Sequence, residues 1–401
     1  MNIRKLKEDE LDTAIRMSEF AFQYELTEDE RTERKKAMNP AETWVIEEEG
    51  DIQSKATVLP LNVYIGGKPW SMGGVAGVAT WPEHRRSGLV RELLGAALNE
   101  MKEKGQTVSF LYPFSIPFYR KFGWELFADQ TVITIPRDKL PVRRATKGSV
   151  RRVEKNDTIV GPVYDQWAQK FNGPLKRNST WWERSVFKRR DGELAVYFNE
   201  DKEARGYLYY QVKDEVLTVH QIVWLDHEAR TGLWTFISNH DSMIKEAVVT
   251  LPGDDGTVFL LDDPHVEKKV SSYFMARIVD AKSFLEAYPF VTANEDDGPV
   301  FIHLEDSFCE WNNGTYVIKP AAGGGEPVHV THHHKPEQGA SCAHPPKRGL
   351  TMTVNTLSAL MLNAQPAGVL YDAGLITGRK EEVVRLAGMI PDRKPFFYDF
   401  F

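Results

Sequence analysis

The chain is 401 residues long, which at about 100–200 residues per domain predicts two or three domains. Its 50 Lys+Arg against 57 Asp+Glu give a formal net charge of −7, which argues against a general nucleic-acid binder. With 42% hydrophobic and 27% charged residues, disorder is excluded as a whole-chain description, and two cysteines, Cys309 and Cys342, are too few for a disulfide scaffold. The chain opens with Met1 to Lys7 and then turns acidic, with no apolar core behind it, so no signal peptide is expected. No apolar run nears the ~20 residues of a membrane helix. The expectation is a soluble, reduced, cytoplasmic chain.

In chain order, Leu11, Ala14, Ile15, Ser18 and Phe22 fall at helical spacing, and Glu25 to Lys36 reads as an exposed turn or second helix. The runs Thr43 to Glu47, Lys55 to Ile65 (closed by Gly66-Gly67) and Gly73 to Thr80 read as strands. Leu89, Val90, Leu93, Leu94, Ala97, Leu98 and Met101 form one apolar face of a helix over about 87–104, ended at Gly105, and a strand follows over 107–112. The basic stretch 137–152 reads as a solvated linker. Three strands are predicted over 193–198, 204–212 and 216–224, and a helix over 232–247. Asn294 to Pro299 signals a second linker. Strands over 300–304 and 315–318, a glycine-rich loop over 321–325, and helices over 355–362 and 380–386 complete the pattern. His329, His332, His333, His334, His344 and Cys342 crowd one predicted loop, but their spacing matches no standard zinc arrangement and no metal is expected.

The most informative segment runs from Val75 to Val90. A strand ends, a short turn carries Arg85, Arg86 and Gly88, and an amphipathic helix starts. Backbone N–H groups at a helix N-terminus, its dipole, a glycine allowing close approach and an arginine charge are what a pyrophosphate requires. A solvated basic turn is the plainer alternative, but the context of strand, turn, helix and strand favours the anion site. The second part of the chain shows no second glycine–arginine turn.

Arg85-Arg86-Ser87-Gly88-Leu89 after a strand resembles the coenzyme A loop of the GNAT superfamily of N-acetyltransferases, and the chain resembles its Eis (enhanced intracellular survival) branch most. Val78-x-Thr80-x-Pro82-x-His84-Arg85-Arg86-x-Gly88-Leu89, then Phe118-Tyr119-Arg120-Lys121-Phe122-Gly123-Trp124, and the aromatic end at Phe401 carry the resemblance. It implies an α+β fold: a GNAT domain over 1–143, a second GNAT-like domain without the cofactor loop over 144–290, and a sterol-carrier-protein-like domain over 291–401. It also implies acetyl-CoA as co-substrate. Val78, Ala79 and Thr80 would meet the pantetheine arm; Arg86, Ser87, Gly88, Leu89, Val90 and Arg91 the pyrophosphate; Phe114 and Ser115 the acyl end. The acceptor implied is a cationic small-molecule amine, aminoglycosides at several positions, with no nucleic acid or membrane partner and a hexameric assembly.

Acetyl transfer to an amine needs a base for the amine and an acid for the leaving thiolate. Tyr119 is the expected acid, since a phenol is protonated at neutral pH. Packing against Phe118 and Phe122 is the competing explanation for its presence. The tail Phe396-Phe397-Tyr398-Asp399-Phe400-Phe401 is too aromatic for a frayed terminus and is expected to be buried. Burial would carry the Phe401 α-carboxylate inward and push it above its usual value of about 3.5, as a base requires. The resemblance implies the same role. Trp181-Trp182 reads equally as cleft lining or core. The alternatives are another amine acceptor (a protein lysine, a polyamine, a different metabolite) or a non-catalytic module binding acyl-CoA or an apolar ligand.

Overall fold

The structure, a computed structural model, describes residues 1–253, 255–291, 298–319, 329–334 and 348–401. Its centre is a twelve-stranded sheet. The strands are β1 (Asn2–Lys5), β2 (Thr43–Glu48), β3 (Asp51–Ile65), β4 (Lys68–Thr80), β5 (Val108–Leu111), β6 (Glu125–Pro136), β7 (Ser149–Val153), β8 (Glu193–Phe198), β9 (Ala204–Lys213), β10 (Val216–Trp224), β11 (Glu246–Leu251) and β12 (Glu267–Ile278). They lie in the order β1-β2-β3-β4-β5-β12-β6-β11-β10-β9-β8-β7.

That order joins two similar halves by an exchange. β12 returns from the second half and inserts antiparallel between β5 and β6, while β6 pairs with β11 of the second half. Each half therefore lends a strand to the other, and the sheet has no seam. Within each half one pair is parallel, β4 with β5 and β10 with β11, and each parallel pair is joined through a helix, as a parallel connection requires.

In the first half α1 (Leu11–Phe22) buries Leu11, Ala14, Ile15, Met17 and Ser18, and α2 (Glu28–Ala37) stands exposed, opened by a reciprocal Thr27–Glu30 cap. Between β4 and β5, α3 (Leu89–Glu103) buries Leu89, Leu93, Leu94, Ala97, Leu98 and Met101, the face the spacing predicts. The helix expected over 232–247 instead spans His227–Ser238, capped by the Asp226 side chain on the Ala229 amide. Glu246–Leu251 is strand, alternately buried and half-buried and paired on both sides. Period-2 burial there overrode the helical reading. The basic stretch 137–152 runs into edge strand β7, and the glycine of the predicted 73–80 strand is preceded by five more residues of β4.

The last part forms a four-stranded sheet ordered β15-β14-β13-β16 from β13 (Val300–Glu305), β14 (Gly314–Lys319), β15 (His329–His334) and β16 (Leu350–Thr353). Helices Val354–Met361, Ala367–Asp372 and Lys380–Met389 cover it. The first of these packs on β12, where Ser358 Oγ accepts from the Ile278 amide at 2.9 Å. Part of the expected histidine loop is thus strand, and the His332 ring stacks on Tyr316 at 4.2 Å. Among the described residues no group of three His, Cys, Asp or Glu could hold a metal. His344, Cys342, the 321–325 loop and residues 294–297 lie outside the described residues.

The tail crosses all three parts. Its backbone bonds to Asn172 at 394 and 396, and Phe396 and Phe397 are fully buried. Phe396 and Tyr398 pack on Trp167 of the second half, while Phe397 turns the other way onto Phe274. Among the described residues no helix is long and apolar enough to cross a membrane.

Candidate active site

The pairing of β4 with β5 ends at Val75↔Leu111, but β4 continues to Thr80 against β3. From Ala76 onward the β4 edge that faced β5 has no strand beside it. One extra residue in β4 between Ala76 and Ala79, opposite Thr57 and Lys55 of β3, forms a bulge at Gly77 (φ 57°). An open strand edge next to a splayed partner offers backbone groups to an extended amide chain. Val78, Ala79 and Thr80 lie on this stretch, and the Ala79 carbonyl already accepts from Ser54 Oγ at 3.2 Å.

The turn that follows is a single helical turn over Pro82–His84, then two left-handed residues, Arg86 (φ 66°) and Gly88 (φ 86°), before α3. This aims the first amides of α3 (Gly88, Leu89 and Val90) outward, where a helix has no acceptor of its own. Nothing stands within 4 Å of the place a Cβ on Gly88 would occupy. Arg86, Ser87 and Gly88 are exposed; Leu89 is buried, and Val90 packs into the apolar cluster under the helix. The cradle fits a pyrophosphate. The two other arginines are partly committed: Arg85 Nε donates to the Thr80 carbonyl at 3.2 Å, and Arg91 lies 5.2 Å over the Phe308 ring.

Tyr119 belongs to α4 (Ile116–Arg120), which opens at Ser115 directly after β5. It is only 3% exposed, ringed by Phe118 at 5.2 Å, Phe114 at 5.3 Å and Trp124 at 6.2 Å. Burial raises its hydroxyl pKa well above the ordinary value, so the proton is held firmly at neutral pH. Phe114 is exposed and Ser115 half-buried at the mouth beside it. The motif's Gly123 (φ 88°) lies under Arg277 of β12, which donates to the Phe122 carbonyl and pairs with Asp306 at 2.5 Å; a Cβ at Gly123 would collide with that guanidinium. A strand of the second half and a loop of the last part together hold the Tyr119 turn in place.

Phe401 reaches β4 from the other side. A Cβ on Gly74 would stand 2.9 Å from its ring, which also meets Phe274 at 5.1 Å and Trp181 at 6.4 Å. Successive strand residues face opposite sides, so Phe401 on Gly74 and the Tyr119 cluster on Val75 bracket the end of the β4–β5 pairing from its two faces. Phe400 and Phe401 line a cavity of about 830 Å³ with Ala76, Gly77, Trp181 and residues of α1, α2 and β3. Trp181 therefore lines the cleft, while Trp182 is core.

Arg177 and Tyr273, which the sequence did not mark, help to fix this arrangement. Arg177 is fully buried and pairs with Asp399 at 2.9 Å, and Trp181 Nε1 donates to the same carboxylate at 2.8 Å. Tyr273 donates to the Asp399 carbonyl at 2.9 Å. Asp399 thus points into the second half and anchors the tail. Tyr398 places its hydroxyl between β10 and β11, 3.1 Å from the Ile222 carbonyl and 3.3 Å from both the Thr250 carbonyl and the Ile222 amide. Lys55, beside the β-bulge, lines the cavity while only 2% exposed.

Comparison with known proteins fits this anatomy. Residues 2–127 and 173–278 each match a model of an acetyltransferase (GNAT) domain, and residues 281–398 match a sterol carrier protein domain. The chain is therefore a tandem GNAT-type N-acetyltransferase with a sterol-carrier-protein-like C-terminal part, and acetyl-CoA is its co-substrate. An N-acetyltransferase of Streptomyces avermitilis is 24% identical over 96% of this chain and 95% of its own. The N-acetyltransferase Eis of Mycobacterium tuberculosis is 24% identical over 53% of this chain and 56% of its own. Among solved structures, Eis1 of Mycobacterium abscessus superposes with a TM-score of 0.82 at 19% identity, covering both chains completely. A probable N-acyltransferase of Enterococcus faecalis gives 0.88 at 24% identity over 100% of this chain and 99% of its own. Within the superfamily the chain belongs to the Eis-type acetyltransferases.

Proposed function

We propose that the chain acetylates a primary amine held in the 830 Å³ cavity, with the Phe401 α-carboxylate as base and Tyr119 as acid. The observation that carries this is the bracketing of the β4–β5 splay by Phe401 and the Tyr119 cluster. Val78, Ala79 and Thr80 would hold the pantetheine, Arg86, Ser87, Gly88, Leu89, Val90 and Arg91 the pyrophosphate, and Phe114 and Ser115 would border the acyl end. Acetyl-CoA supplies the acetyl group as a thioester. The carboxylate takes one proton from the amine nitrogen as that nitrogen bonds to the acetyl carbon. Tyr119 gives its hydroxyl proton to the sulfur as the C–S bond breaks; the carboxyl then releases its proton to solvent and Tyr119 takes one up. The products are an N-acetyl amide and the free coenzyme A thiol, so protons balance. The high affinity of Tyr119 for its proton keeps the acid loaded across the working pH range.

The division into 1–143, 144–290 and 291–401, a cytoplasmic location and a hexameric assembly extend the same reading. The resemblance points to aminoglycosides, acetylated at several amines. A second reading, another metabolite amine, is favoured by the basic side chains that line the cavity, taken up below.

The test is thiol release from acetyl-CoA with aminoglycosides, polyamines, lysine peptides and small amines, read alongside acetyl counts by mass spectrometry. One glycine appended after Phe401 is expected to abolish turnover with acetyl-CoA affinity unchanged. Tyr119→Phe is expected to lower kcat by about 10²–10⁴-fold, the usual worth of a positioned acid. Full turnover in the extended chain would remove the carboxylate from the mechanism.

A further inference from the structure

The acceptor cavity carries an excess of positive charge. Its lining includes Arg34, Lys55, Arg184, Lys188 and Arg189; among the described lining residues the acidic side chain is Glu42. Lys188 is paired with Glu183 at 2.8 Å, and burial pushes the Glu42 carboxyl up, which weakens it as a counter-ion. Glu42 also faces Lys104 and Lys5 on its other side. The terminal carboxylate at Phe401 adds one negative charge, so the lining stays net positive.

Lys55 is the most telling of these groups. Its Nζ donates to Ser18 Oγ at 2.8 Å, and the charged group that acts on it is Arg34, of like sign. Burial, aided by Arg34, pushes its ammonium down to about 8. Burial, with Arg190 and Arg34 of like sign, pushes the Arg189 guanidinium down against Tyr273 and Asp399; it lies 4.1 Å over the Phe400 ring and donates to the Phe400 carbonyl at 2.9 Å. A buried cation without an anion is costly, and like charges from three elements converging on one cavity add to that cost. An anionic ligand relieves both; a polycation would aggravate both.

Resting on the acetyl-transfer reading, we propose that the natural acceptor is a small primary amine that also bears a carboxylate or a phosphate, its anion held by Lys55, Arg34 and Arg184. The amine then faces Phe401 and Ala76 at the open edge of β4, and the anion lies beside Lys55, whose Nζ stands 3.4 Å from a Cβ placed on Gly77, toward α2 and the 184–189 segment. The cavity is of the size that encloses a small molecule.

The experiment compares matched amines in the full chain: 4-aminobutyrate with 4-aminobutyramide for a carboxylate, and phosphoethanolamine with ethanolamine for a phosphate. Thiol release is followed with each. The expected result is a kcat/KM at least about tenfold higher for an anionic member, the scale of one charge-assisted contact; whichever pair shows it identifies the anion. In Arg34→Gln/Arg184→Gln, both exposed positions, that preference is expected to fall about five- to tenfold through the KM of the anionic amine. The KM of the neutral amine and of acetyl-CoA should not move. Lys55→Met repeats the test at the buried group, with a thermal melt to show that it folds. Equal rates within both pairs, or a preference for aminoglycosides, would overturn the proposal and leave acetyl transfer intact. A rise in the acetyl-CoA KM of the double variant would assign these cations to the cofactor instead. No thiol release with any amine would strike at the catalytic reading, which the Phe401 and Tyr119 variants test separately.

Discussion

The two halves of the large sheet share one plan and put it to different use. In each, an antiparallel strand pair carries a bulge (β3 with β4, β9 with β10), and the parallel partner of the second strand falls away beyond the bulge. In each, a helix leads from the splayed strand to its parallel neighbour. The first half spends Trp81 to Gly88 on the connection and leaves its helix N-terminus open. The second half spends Leu225 and Asp226, and the Asp226 carboxylate occupies the N-terminus it caps, paired with Arg205 at 2.9 Å. A carboxylate at that place repels phosphate. The gap itself is taken by Tyr398, whose hydroxyl bonds to Ile222 and Thr250 where the first half has its free edge. Even the bulge position differs in kind. Lys55 opposite Ala79 corresponds in register to Tyr207 opposite Val223. The second half thus differs by a shorter turn and a filled gap on the same sheet plan, and the filler belongs to the tail whose last ring reaches β4 of the first half.

That dependence predicts the largest effect. Asp399→Ala leaves Arg177 buried without its anion and is expected to cost about 3–5 kcal/mol of stability. It should also cost most turnover at temperatures where the chain remains folded, because the tail loses its hold on the second half. Calorimetry and thiol release check both; unchanged turnover would show that the tail is seated by its aromatic rings alone.

Lys55 gives the next effect, through pH. Its ammonium is held near 8 in the folded chain against 10.5 when unhindered. The unfolded chain therefore binds more proton between these values. Lys55 thus adds stability above about 10.5 that is lost as pH falls to about 8, roughly 3 kcal/mol at about 1.4 kcal/mol per unit. Lys55→Met should raise the neutral-pH Tm and flatten the rise in Tm from pH 8 to 10 relative to the parent chain. Parallel Tm–pH curves would show that the group is not desolvated as described.

A smaller change converts one half's turn toward the other's. Gly88→Asp puts a carboxylate where the second half has Asp226, at a backbone angle that disfavours a side chain. Acetyl-CoA affinity by titration calorimetry is expected to drop by about 30–100-fold, the sum of charge repulsion and left-handed strain of about 1–3 kcal/mol. The smallest effect is expected from Tyr398→Phe, which strips a hydroxyl from the second gap. Leaving those backbone groups short of a partner should cost about 1–3 kcal/mol of stability with acetyl-CoA affinity intact.

The turn between β4 and α3 was legible in sequence because it is local. Arg85 to Gly88 sit between a strand and an amphipathic helix, and a left-handed glycine before a helix has a short-range signature. The buried aromatic tail was legible too, since five aromatic residues in the last six cannot stay in water. The second-half helix was placed too far along the chain: it ends at Ser238, and residues 239–245 lead to a strand, Glu246–Leu251, that alternates buried and half-buried residues.

What the sequence by itself determined is the local chemistry: the helix faces, the arginine–glycine turn before α3, the aromatic segment around Tyr119 and the need to bury the C-terminal aromatics. Only the tertiary structure decided how these meet. The exchange of β6 and β12, the Arg177–Asp399 pair across 222 residues of chain, the plug made by Tyr398 and the convergence of Lys55 with Arg34 and Arg189 all join residues remote in sequence. No pattern of spacing encodes such contacts. They follow from which buried polar groups and sheet edges had to be satisfied once the chain had closed on itself.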